Sequence, residues 1–132
     1  MKILFACLAD HATADQFGNK LSVGGIFDHI VARQFPAQHM RMYLVFRLLL
    51  EHEDNEKLHN LTIALRDADH REYQHLEAQV QGGSVAPGDF LALNQIIELN
   101  GVTFAQPGRY HFALTADSEA EFRVPFSVVE RP

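Results

Sequence analysis

Near the C-terminus two runs of the chain alternate apolar and polar residues. Tyr110, Phe112 and Leu114 make the first, and Phe122, Val124, Phe126 and Val128 the second, with the polar Asp117-Ser118-Glu119 between them. Side chains of a strand point to its two faces in turn, so a period of two gathers these residues on one face of a hairpin. Pro125 falls on the other face and has no N–H to give a neighbour, which places the last strand at a sheet edge.

The remaining segments read the same way. Residues 3–9 are continuously apolar up to Asp10, as in a short buried strand. Within Asp15 to Lys20 the Gly18-Asn19 pair supplies the positive φ of a tight turn, and Leu21 and Val23 alternate beyond it, giving a first hairpin. Gly24-Gly25 marks a bulge or a close approach of another backbone, after which the strand resumes at Ile26 and runs towards Phe35-Pro36. From Arg41 to Glu51 the even positions Met42, Leu44, Phe46, Leu48 and Leu50 are all apolar, and Tyr43, Val45 and Leu49 make the odd face nearly so. A strand apolar on both sides needs two covers. Tyr43, Val45 and Leu49 are therefore the candidate interaction surface, covered by a lid or by another subunit.

Residues 58–80 admit two readings. Leu58, Leu61, Leu65, Ala68 and Leu76 line a helical stripe among good helix formers. Alternatively, a turn at Asp69-His70 sets Leu61, Ile63 and Leu65 across from Ala78, Leu76 and Gln74, and Thr62, Ala64 and Arg66 across from Glu77, His75 and Tyr73. One register then sorts apolar from polar on both arms, which favours the hairpin. Glu51 to Lys57 is a solvated turn, and Gly82 to Asp89 a flexible connection too short to join two domains. Phe90 to Leu99 returns to strand and Asn100-Gly101 turns.

About eight strands without intervening helices predict an all-β fold, a two-sheet antiparallel sandwich occupying residues 1–132 as one domain. With 132 residues, 47% of them hydrophobic and ten Phe, the chain closes a core without disulfide or metal. Gln106-Pro107-Gly108-Arg109-Tyr110 looks like the tyrosine corner of immunoglobulin-like domains, whose phenol bonds back to the preceding connection. The C-terminal third is on that account expected to be immunoglobulin-like.

Other residues of the chain carry a resemblance too. Gly18-Asn19-Lys20-Leu21-Ser22-Val23-Gly24-Gly25-Ile26-Phe27-Asp28, Phe35-Pro36, Tyr43-Leu44-Val45-Phe46-Arg47-Leu48 and Pro107-Gly108-Arg109-Tyr110 resemble a family of small bacterial proteins known as domain of unknown function 6941. The resemblance implies a free-standing β-rich bacterial protein and implies no activity.

Charge and chemistry narrow the function. A formal net charge of −6 repels phosphate backbones and anionic lipid, so neither nucleic acid nor membrane is the expected partner. No apolar run approaches the roughly 18 residues of a membrane span, and too few apolar residues precede Cys7 for the roughly 7–15 residue core of an export signal. The lone Cys7 has no disulfide partner, which suits a cytoplasmic location, and among apolar neighbours it is expected to act as a small hydrophobe. Asp67, Asp69, His70, Glu72 and His75 read as a solvated turn. His52 and His59 flank an acidic loop that offers ligands for a cation but reads more simply as wet surface. Asp28, His29, Arg33, His39 and Arg41 form the one local basic concentration, most simply a polar strand edge. No catalytic, cofactor or metal residue is assigned. The expected function is a non-enzymatic interaction or structural module whose partner is a protein, a second copy included. The alternative is a small-ligand binder with a cavity lined by Phe27, Phe46, Phe90 and Phe112. A metal-dependent enzyme, its histidines His29, His39, His52, His59 or His75 gathered from separate strands, ranks last.

Overall fold

The computed structural model describes residues 1–15 and 19–132. Among them nine strands follow one another: β1 (Lys2–Asp15), β2 (Lys20–Phe27), β3 (His29–Ala32), β4 (Ala37–Glu51), β5 (Leu58–Asp67), β6 (Glu72–Gln81), β7 (Phe90–Phe104), β8 (Gly108–Ala116) and β9 (Phe122–Glu130). The helix among these residues is a single 3-10 turn, His52–Asp54. One sheet has the order β2-β1-β4-β7 and the other β3-β9-β8-β5-β6. All ladders are antiparallel except β3 with β9. This is the two-sheet sandwich expected, with one strand more than the turn signals count.

The period of two builds its core. From the five-stranded sheet, Leu61, Ile63 and Leu65 of β5, Tyr110, Phe112 and Leu114 of β8 and Val124, Phe126 and Val128 of β9 face inward. Met42, Leu44, Phe46, Leu48 and Leu50 of β4 meet them from the opposite sheet. Phe126 stacks between Tyr110 and Phe112 at 5.7 Å, while Phe104 meets Tyr110 edge-on at 4.9 Å. The Tyr110 hydroxyl donates to the Gln106 carbonyl at 2.7 Å, the bond its local sequence predicts.

The 58–80 region is the hairpin, with Leu61, Ile63 and Leu65 opposite Ala78, Leu76 and Gln74. A register shift after Leu65 puts Arg66 across from Glu72 instead of Tyr73. The turn has Ala68-Asp69 at its centre, closed by His70 N–H to the Asp67 carbonyl at 3.0 Å, and His70 takes φ 61°, a place glycine often fills. The Asp67 carboxylate accepts the N–H groups of Asp69 and Arg71 and the Tyr73 hydroxyl.

Four local expectations are corrected. Asn100-Gly101 does not turn, because β4 extends back to Ala37 and keeps β7 paired as far as Phe104. Gly101 instead takes φ 65° inside the strand, and Leu99 and Val102 on either side of the pair both reach the core. Gly24-Gly25 makes no bulge, since the register with β1 is the same on both sides of it. What comes close there is the Asp10 side chain, and Gly25 takes φ 70°. The strand through Ile26 does not continue to Phe35. It breaks at Asp28 and changes sheets as β3. That crossing lays β3 beside β9 from Ser127 to Glu130, so β9 is no edge strand, although the stretch around Pro125 has no β3 partner. In the first turn Asn19 has φ 49°, whereas Gly18 lies outside the described residues.

Candidate functional site

The outer face of the four-stranded sheet carries the second apolar pattern of β4. The register places Cys7 beside Val45 and Ala9 beside Tyr43 on adjoining strands. Cys7, Ala9 and Val45 are buried as a small cluster, with Phe5, Leu21, Val23, Tyr43 and Ile96 packed around it. Val45 is 0% exposed within the single chain, so a partner laid on this face would not touch it. Tyr43 is half-buried at the margin of the cluster. Burial raises the Cys7 thiol pKa, which keeps it protonated and unreactive.

Leu49 has different surroundings. A bulge in β1 between Ile3 and Phe5 lets Ile3 and Ala6 both pack against the core and turns Leu4 outward. Leu4, Leu49 and Phe90 then line a trough of about 470 Å³, with Glu51, His52, Glu53 and Asp89 around it. Leu4 is 46% and Phe90 63% exposed. Leaving such side chains in water forgoes roughly 1.5–3 kcal/mol each. The rim carries three carboxylates, of which Glu51 has Lys2 at 3.9 Å.

The walls of the trough are held from below. Asn55 brackets Val85, accepting its N–H and donating to its carbonyl, both at 2.9 Å, and the His52 ring nitrogen lies 2.8 Å from the same carbonyl. These bonds pin the Gly82–Asp89 connection, which composition alone reads as flexible, and so position Asp89 and Phe90. The 3-10 turn is fixed by Asp54, whose carboxylate accepts the Glu51 N–H at 2.8 Å and meets the Met1 amino group at 2.7 Å. His59, 3% exposed, reaches the Asp54 carbonyl at 3.0 Å and the Asp117 carboxylate at 2.8 Å. Both acceptors lack a hydrogen, so both ring nitrogens donate and His59 is an imidazolium. The Asp54 carbonyl and then Asp117 raise its pKa against the opposing effect of burial. Burial pushes the Asp117 carboxyl up, but the bonds from His59 and the Asn60 N–H outweigh it and leave its pKa lowered.

The other candidates disperse. His29 bonds Asp28, His39 packs on Phe27, and His75 sits between Glu72 and Glu77 on β6. Arg41 pairs with Glu98 across the sheet. Among the described residues no three His, Cys, Asp or Glu side chains are grouped to hold a metal ion. Phe46 and Phe112 belong to the packed core while Phe90 stands on an outer face, so these residues do not share the cavity expected of a ligand binder. Strand β6 pairs with β5 alone, and Val80 is its one residue that is not exposed. Glu72, His75 and Glu77 charge that edge and so discourage strand addition. Sequence reasoning found Leu49, missed Leu4, which a bulge turns outward, and set Phe90 in an interior cavity, whereas its register opposite Glu51 puts it on an outer face.

No helix among the described residues is long and apolar enough to cross a membrane. The model of a family of unknown function, DUF6941, matches residues 4–129. None of the curated proteins matches the chain.

Proposed function

We propose that this chain, which belongs to the DUF6941 family, is a non-catalytic cytoplasmic recognition module that seats a partner protein in the trough of Leu4, Leu49 and Phe90. One observation carries the reading: two large apolar side chains stand exposed inside a rim of Glu51, Glu53 and Asp89. The partner that fits is a segment with apolar anchors flanked by Lys or Arg. Desolvating Phe90 supplies affinity, and the carboxylates supply orientation and speed of encounter. A trough this small admits one or two side chains, which suits a weak, transient complex. A second copy fits less well, since a two-fold contact brings the same acidic rims together. The buried, protonated Cys7 supports a non-catalytic role, and its lack of a second cysteine supports a reducing compartment. The Tyr110 corner supports the immunoglobulin-like reading of the C-terminal third.

Sedimentation velocity and fluorescence anisotropy together test this. The protein alone is expected to sediment as a monomer, to bind a short labelled peptide of alternating Lys and Leu, and to lose that binding as salt rises. Phe90→Ser is expected to abolish it. Equal binding of a Glu-Leu peptide, or of the Phe90→Ser variant, overturns the proposal. A dimer that tightens with salt replaces the foreign partner with a second copy.

A further inference from the structure

The outer face of the five-stranded sheet gathers cations in a protein that is acidic overall. His111 projects from β8 to this face, with Arg66 of β5 on one side and Pro125 of β9 on the other. The pleat brings Arg109 to the same face two residues along β8, and Arg123 two residues along β9. The turn after β5 adds His70, whose ring meets that of His111 edge-on at 5.8 Å. His70, Arg109, His111 and Arg123 line one cavity of about 410 Å³.

Two features distinguish this cavity from an ordinary basic surface. His111 is 9% exposed, and its Nε2 is buried with no hydrogen-bond partner among the described residues. A buried polar atom left in that state is destabilising, and native structures keep few of them. The cations are also incompletely neutralised. Glu121 serves both Arg66 at 2.6 Å and Arg123 at 3.1 Å, Glu72 lies 3.8 Å from Arg66, and the Arg109 side chain has no ion pair or hydrogen bond among the described residues. From these contacts we infer that the cavity is an anion site for a phosphate group, either inorganic phosphate or a small phosphomonoester. Donors approach from β8, β9 and the β5–β6 turn, so they surround a tetrahedral acceptor better than they match a planar carboxylate. Guanidinium groups give such oxyanions paired, charge-assisted bonds.

The protonation of His111 reports occupancy. Burial first, then Arg123, Arg66 and His70, lower its pKa against the opposing pull of Glu121. A bound phosphate reverses that balance and draws a proton onto the ring.

Imidazole C–H resonances followed through a pH titration test the site. In sodium chloride His111 is expected to titrate below an ordinary histidine. Inorganic phosphate at matched ionic strength is expected to move it upward in a saturable manner, with millimolar or tighter affinity. Arg109→Ser and Arg123→Ser alter exposed side chains and spare the fold, and each is expected to weaken binding roughly tenfold. Glycerol 3-phosphate separates the two sources: affinity equal to that of phosphate assigns the site to the free ion, and tighter binding to a phosphorylated small molecule. The proposal is overturned if chloride moves His111 as far as phosphate does, if neither phosphate saturates, or if Arg109→Ser binds like wild type.

Discussion

Replacing His59 by leucine removes a buried cation that bridges three parts of the chain. The imidazolium donates to the Asp54 carbonyl at 3.0 Å and to the Asp117 carboxylate at 2.8 Å. Hydrogen bonds to charged groups contribute about 1.5–3 kcal/mol each, and leucine recovers part of that through its own burial, so a net loss of about 3 kcal/mol is expected. His59→Gln keeps one neutral donor and is expected to lose about half as much. The pH dependence has a definite sign. The pKa of His59 is raised above its ordinary 6.5 in the folded protein, so its contribution is complete below that value and disappears as pH rises through the folded one. His111, shifted the opposite way, is present in both proteins and cancels from the difference. The chain has no Trp and three Tyr, so urea unfolding is followed by tyrosine fluorescence. The gap between wild type and His59→Leu is expected to be widest below pH 6.5 and to narrow as pH rises above it. A gap that stays constant as pH rises, or one below about 1 kcal/mol at the acid end, refutes the imidazolium bridge.

Four further substitutions probe the scaffold. A Cβ on Gly82 would fall on the Asp54 carbonyl oxygen and lie 3.2 Å from that of Lys57, whereas one on Gly83 meets nothing within 4 Å. Gly82→Ala is thus expected to cost about 2 kcal/mol in urea unfolding and Gly83→Ala almost nothing. Tyr110→Phe deletes the bond to the Gln106 carbonyl and is expected to cost about 1 kcal/mol by the same assay. Asp67→Ala strips three donors of their acceptor, and faster amide exchange at Asp69 and Arg71 is expected, with the core strands unchanged.

Alternation was the dependable guide to the fold. It placed the inward residues of β8 and β9 and the register of the β5–β6 hairpin, because burial on one face penalises any slip by one residue. It failed where the partner strand decides the outcome. Asn100-Gly101 has turn chemistry, yet β4 runs past it and holds it extended. Pro125 looks like an edge marker, but β3 crosses from the other sheet to pair beyond it, and nothing in the local sequence around Ile30 announces that crossing. The trough was partly visible in Leu49. Leu4 and Phe90 depend on a one-residue bulge and on where β7 begins, and the His59 bridge joins residues far apart in the chain. Val45 shows the limit of the two-faced strand argument, since β1 and its neighbours supply the cover that a partner seemed to be needed for.

The central claim, that the acidic trough around Leu49 is where a partner sits, is tested most directly by methyl NMR. Protein labelled at Leu and Val methyl groups is titrated with the Lys-Leu peptide. Shifts confined to Leu4 and Leu49, with Val45 and the β6 methyl of Leu76 unmoved and the effect lost in high salt, are the expected result. Shifts centred on Leu76 and Val80, or spread evenly over the surface, contradict it.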